Sequence, residues 1–155
     1  MVATTSAQTV DDLYAINLAK TIYREGFDCG DTSQVLSIFD DSFSDMSSSG
    51  PSYWGVEARQ VMEARLNHLF SHYNTKMVTI IIDVEFYGNL AMDYGWHELT
   101  MIPKAGGQSK FLRTRYFEMW RKDKNRGWVI TKFFDNIDEP AQLAEALIER
   151  FNADR

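Results

Sequence analysis

From Lys76 to Asp138 the sequence reads as four long strands in succession, and three helical segments precede them. That order is the tightest constraint on the fold. Helices followed by consecutive antiparallel strands predict an α+β domain whose sheet curls around helical cover. In Lys76–Tyr87 one alternate set is Val78, Ile80, Ile82, Val84 and Phe86, and the other holds Thr79, Asp83 and Glu85. This is the pattern of a half-buried strand, apolar on one face and wet on the other. A single bulge would exchange the two sets.

The remaining strands follow from turn chemistry. Gly88-Asn89 turns the chain into Leu90–Ile102, and Gly106-Gly107 sits at the tip of Pro103–Ser109. Phe111–Lys122 and Trp128–Ile137 form a hairpin around Asp123–Gly127. Before the sheet, Thr9, Asp11 and Asp12 offer N-cap chemistry to a first helix carrying Leu13, Ile16, Leu18, Ile22, Tyr23 and Phe27. It ends near Cys29-Gly30. Asp31-Thr32-Ser33 caps a short second helix with Val35, Leu36, Ile38 and Phe39 as its apolar face, closed by Asp40-Asp41. Ser42–Trp54 is turn material between two short extended pieces. A third helix follows Gly55 with the stripe Met62, Leu66, Leu69, Phe70 and Tyr73. The expected organisation is a loose arm over 1–8, one domain over 9–138 and an amphipathic helical tail over 139–155, with Leu143, Leu147, Ile148 and Phe151 on one side.

Composition narrows the partners. At 155 residues and 45% hydrophobic the chain is one domain with a real core. A net charge of −6 without a basic stripe argues against nucleic acid. The longest apolar run is Ile80-Ile81-Ile82, so no membrane span is expected. Residues 1–10 lack the basic start and apolar run of a signal peptide, and Cys29 is alone; both fit a reducing, cytoplasmic setting. Ten Phe, seven Tyr and four Trp are more than a core requires, so some can line a cavity.

No phosphate loop, nucleophile elbow or multi-Cys metal set is present, and neither cofactor nor metal is expected. His68 and His72 have i, i+4 spacing but no third ligand, which leaves a solvated pair. His97 lies in a strand whose alternate set is Ala91, Asp93, Gly95, His97 and Leu99, small and polar enough for a wet cavity. An imidazole there can be tuned to move protons, or it can lie on the open face. Asp135 ends the last strand beside Phe133 and Phe134, where partial burial would raise its pKa; capping the turn toward Asp138 is the alternative. Arg113 and Arg115 share a face with Phe117 and Met119, best read as an exposed, ion-paired face.

The stretch Arg115-Tyr116-Phe117-Glu118-Met119-Trp120-Arg121-Lys122, with Gly127-Trp128-Val129-Ile130 after the turn, resembles the closing hairpin of the nuclear transport factor 2-like, or SnoaL-like, superfamily. Asp28-Cys29-Gly30-Asp31, Phe39-Asp40-Asp41 and the Gly55 before the third helix fit in the same order. The resemblance implies a cystatin-like α+β cone. Three N-terminal helices pack in the concave face of a strongly curved, mixed or antiparallel sheet, with a pocket between and a homodimer through the sheet. It implies a small apolar ligand and, in the enzymes of the superfamily, cofactor-free isomerase, cyclase or dehydratase chemistry; other members are non-catalytic binding or association modules. The phenol donor of ketosteroid isomerases falls on Tyr23, eight residues before Asp31. Their base falls at Met46, beside Asp45, and their protonated acid near Tyr116, so steroid isomerisation itself is not implied. Dehydratase-like histidines would fall at His72 and His97. The expected catalytic set is therefore Tyr23, Asp45, His97 and Asp135, with Trp54, His72, Tyr94, Arg115, Tyr116 and Phe133 as ligand contacts.

Overall fold

The computed structural model describes residues 7–138. Six strands form one sheet in the order β2-β1-β6-β5-β4-β3. They are β1 (Phe39–Met46), β2 (Tyr53–Trp54), β3 (Tyr73–Tyr87), β4 (Leu90–Pro103), β5 (Lys110–Asp123) and β6 (Gly127–Ile137). The run from β3 to β6 is antiparallel, whereas β1 pairs parallel with β6, so the sheet is mixed.

The helices differ from the expected three equals. α1 (Ala7–Cys29) is the one long N-terminal helix and begins inside the anticipated arm. α2 (Thr32–Leu36) is little more than a turn, and α3 (Gly55–His72) comes only after two strands. α2 stops at Leu36, so Phe39-Asp40-Asp41 belongs to β1 rather than to a helix end. The expected C-terminal helix lies outside the described residues.

The buried face of α1 mixes apolar and charged residues. Asp12, Ile16, Ala19, Lys20, Tyr23 and Phe27 are buried at steps of three and four, while Leu13 and Leu18 face solvent. Gly30 ends the helix at φ +68°, a conformation that costs glycine nothing. Its N–H bonds Phe27 O and the Asp31 N–H bonds Gly26 O, closing the last turn. Thr75 Oγ1 donates to Phe27 O at 2.5 Å and Asp28 Oδ1 accepts from Met77 N at 2.8 Å, which seats the helix end on β3. At the other end Asp12 Oδ1 accepts from Lys122 Nζ at 2.6 Å and Trp128 Nε1 at 3.0 Å. These anchors lay α1 along the sheet's inner face over a core of Phe39, Phe43, Trp120 and Ile130, each fully enclosed.

Irregular pairing decides which side chains reach that inner face. β3 carries Thr75, Met77, Thr79 and Ile81 inward, then a bulge at Ile82 moves Val84 and Phe86 inward instead. The apolar set Val78, Ile80 and Ile82 is therefore exposed on the outer face, contrary to the alternation read from sequence. In β6 an extra residue opposite Met119–Trp120 brings Phe133 and Asp135 inward. In β1 the register with β6 slips between Phe39 and Ser44, and Phe43, Ser44 and Asp45 are buried in a row. Gly95 faces the bulged strand so closely that a Cβ would stand 1.8 Å from Ile80 O.

Candidate functional site

Between α1, α3 and the sheet lies a cavity of about 190 Å³. Phe27, Met62, Leu66, Leu99, Leu112 and Phe133 supply most of its apolar wall. Tyr23 enters from α1, His97 and Thr114 from the sheet, and Asp45, Arg65 and Asp135 from the side nearer solvent. The four residues anticipated as catalytic thus line one cavity, together with Phe133.

His97 is buried and stacks on the Tyr116 ring, with centroids 4.2 Å apart and planes 11° apart. The Tyr23 ring lies 5.3 Å away on its α1 side. Burial, then the Lys20 charge, hold the imidazole well below its ordinary pKa, so it is neutral at physiological pH. Its Nε2 has no hydrogen-bond partner among the described residues. Burial pushes the Tyr23 phenol well up, with Glu118, Asp135 and Asp45 adding to the shift. Tyr23 is therefore a neutral hydrogen-bond donor.

The two carboxylates at the solvent side are held differently. Asp45 Oδ1 accepts from Ser47 N at 3.0 Å, and its Oδ2 lies 3.4 Å from Arg65 Nη1. Asp135 Oδ1 accepts from both the backbone N–H and the hydroxyl of Ser48, each at 2.6 Å. Burial raises the Asp135 pKa more than these hydrogen bonds lower it. Asp135 thus ties down the loop after β1 rather than capping the turn toward Asp138, and it remains a partly desolvated carboxyl on the cavity wall.

Of the anticipated ligand contacts only Phe133 lines the cavity, and five lie elsewhere. Trp54 is 60% exposed in the short edge strand β2. His72 is exposed at the C-terminus of α3, its Nδ1 2.8 Å from His68 O, so the histidine pair caps a helix end. Among the described residues no three His, Cys, Asp or Glu side chains are grouped to hold a metal. Tyr94 and Arg115 point to the outer face, because strand alternation sends them opposite to Asp93, His97 and Tyr116. Arg115 faces Asp138 there at 3.8 Å, and Arg113 takes Glu98 and Asp138 at 3.0 and 3.6 Å, giving the ion-paired face expected of them. Tyr116 sits under His97 and donates to Asp93 Oδ2 at 2.9 Å. Together with Tyr94 and Arg115 it borders a separate groove of about 440 Å³ on the outer face.

Sequence reasoning missed Arg65, Lys20 and Glu118. The available signals were slight: Lys20 falls three or four residues from Ile16 and Tyr23 on α1, and Glu118 alternates with Tyr116 and Trp120 on β5.

No protein-family model and no curated protein matches the sequence. Solved structures do. A putative scytalone dehydratase from Novosphingobium aromaticivorans superposes with a TM-score of 0.74 at 13% identity, over 84% of this chain and 87% of that one. A ketosteroid isomerase-like protein from Erwinia carotovora gives 0.69 at 19%, over 83% and 98%. A nuclear transport factor 2-like superfamily protein from Salmonella enterica gives 0.68 at 19%, over 84% and 94%. The chain is an α+β protein with a cystatin-like fold. At these identities the likeness speaks for the fold alone.

Proposed function

We propose that the domain binds a small, largely apolar molecule in the inner cavity and carries out cofactor-free proton chemistry on it, of the isomerase, cyclase or dehydratase kind. The observation that carries this reading is the convergence of Tyr23, Asp45, His97 and Asp135 on one cavity with apolar walls. Tyr23 donates a hydrogen bond to an oxygen on which charge develops. Asp135 or Asp45 takes or returns the proton, and neutral His97 is the second candidate for that transfer. A carboxyl with a raised pKa beside a neutral phenol suits such a step, because each holds the protonation state its role needs. Size restricts the ligand. A dry cavity of about 150 Å³ takes a benzene ring, so this one, at about 190 Å³, suits one ring or a compact pair rather than a four-ring steroid.

The test is a thermal-shift screen with substituted phenols, cyclic ketones, naphthols and steroids. Ligands that bind the native state raise the midpoint with the logarithm of their concentration over the dissociation constant. The reading requires dose-dependent rises with one- and two-ring oxygenated compounds, weakened in Tyr23→Phe. No rise with any of them would remove the ligand pocket from consideration.

A second reading has its own observation. Val78, Ile80, Ile82, Tyr94 and Phe117 are exposed together on the outer face. A second copy of the chain covering that face would make the domain a homodimer through the sheet, whether or not the cavity is catalytic. Sedimentation across a concentration series tests it. Among the described residues no helix is long and apolar enough to cross a membrane.

A further inference from the structure

Next to His97 lies a second polar cluster that the proposed chemistry does not use. Lys20 of α1 is 3% exposed, Glu118 of β5 1% and Asp93 of β4 0%. Lys20 Nζ stands 2.5 Å from Glu118 Oε2 and 3.4 Å from Asp93 Oδ2. Asp93 also accepts from Tyr116 Oη at 2.9 Å and from Trp120 Nε1 at 2.7 Å. The same ammonium is 3.9 Å from the centroid of the Tyr116 ring, the ring on which His97 stacks. A buried ionic cluster of this kind adds little net stability over an apolar core. It does supply fixed geometry and a local field.

Taking the cavity as an acid–base site, we propose that Lys20 is its positioning residue: pinned by Glu118 and Asp93, it fixes the Tyr116 ring under His97 and holds a positive charge against that stack. The groups around His97 are Lys20 and Tyr23 from α1, Asp93 from β4, Tyr116 and Glu118 from β5, Asp135 from β6, and Asp45 from β1 with Arg65 of α3. Arg65 is turned to Asp45, which leaves Lys20 as the cation that acts on the imidazole. Two carboxylates and one ammonium enclosed together cannot all be charged without an unbalanced anion, so the cluster retains a proton. Glu118 is where it resides: burial and the neighbouring Asp93 raise its pKa well above the ordinary value, against the pull of Lys20. The resulting Lys20–Asp93 pair is neutral overall and directs its positive end at the Tyr116–His97 stack.

The test needs no ligand and no turnover, so it stands or falls separately from the proposed chemistry. The chain has three histidines, and His97→Gln assigns the His97 imidazole signals in a proton–carbon NMR spectrum. In the wild-type protein these signals should stay fixed between about pH 8 and pH 5 and be displaced upfield by the stacked ring. In Lys20→Met the signals should titrate, with a midpoint raised by about one unit or more, and the upfield displacement should shrink. Lys20→Met leaves the buried Asp93 carboxylate without its counter-ion and Glu118 without its Lys20 contact and can fail to fold, so Lys20→Met combined with Glu118→Gln is measured beside it. There Asp93 keeps its Tyr116 and Trp120 donors, and the same upward movement is expected. A folded variant whose His97 stays fixed and equally displaced would overturn the proposal. So would a wild-type His97 that titrates at the ordinary histidine value.

Discussion

The two faces of strand β4 differ by one residue in sequence and by everything else in environment. Asp93 and His97 point inward, are fully enclosed, and are neutralised by hydrogen bonds, a buried ammonium or loss of charge. Tyr94 and Trp96 point outward, beside exposed Ile80 and Ile82 and the ion pairs of Arg113 and Arg115 with Asp138. The contrast teaches that charge on the inner face is organised, whereas charge on the outer face is merely compensated. Low dielectric makes each inner group depend on its neighbours, while water screens the outer ones from each other.

Breaking one charge on each face should separate them most widely. Lys20→Met leaves the buried Asp93 carboxylate without its counter-ion and should cost about 3–5 kcal/mol in urea unfolding. Arg115→Ala on the exposed face should cost no more than about 1 kcal/mol. Comparable losses would mean that the inner cluster is not the dependent network described above.

The inner face should also set the pH profile of stability. Glu118 keeps a proton in the fold that the unfolded chain releases above its ordinary value of 4.5. Its contribution is therefore complete below pH 4.5 and is lost as pH rises toward the raised folded value. His97 is neutral in the fold and charges in the unfolded chain below 6.5, so its contribution is complete above pH 6.5 and is lost as pH falls. The two slopes oppose each other between pH 4.5 and 6.5, and stability should decline on either side by about 1 kcal/mol per pH unit. Denaturation midpoints for Glu118→Gln should lack the alkaline decline, and those for His97→Gln the acid one.

Tyr23→Phe should weaken a bound one-ring ligand by about tenfold, the value of one hydrogen bond, with little effect on unfolding. Tyr94→Phe on the other face should leave that affinity unchanged. The smallest effect on the isolated chain belongs to Ile82→Ser, within about 0.5 kcal/mol for a surface position. The same change should lower the sedimenting mass if the outer face carries a second copy.

Strand limits were legible because turns announce themselves: Gly88-Asn89, Gly106-Gly107 and Asp123–Gly127 set the hairpins to within a few residues of those seen. Face assignment was an open choice for β4, whose small and polar set points inward. It was not legible for β3 or for the stretch around Asp45, because a bulge leaves no reliable mark in a side-chain pattern and reverses the alternation beyond it. Hydropathy does not pick out the buried face of α1: Leu13 and Leu18 face solvent, whereas Lys20 takes a buried position through partners 73 and 98 residues away. No local window contains those partners. His97 and Asp135 could be read as candidates from their neighbours and Tyr23 from the family resemblance, but their meeting in one cavity depends on the β6 bulge and on α1 crossing the sheet.

The central claim is that the inner cavity, and not the outer groove, is where this domain meets its ligand. The most direct test is chemical-shift mapping with the tightest one-ring ligand from the thermal screen. The account predicts saturable shifts at Tyr23, Leu66, His97, Leu99 and Leu112, with Tyr94, Phe117 and Asn136 unmoved. Shifts confined to the outer groove would contradict it.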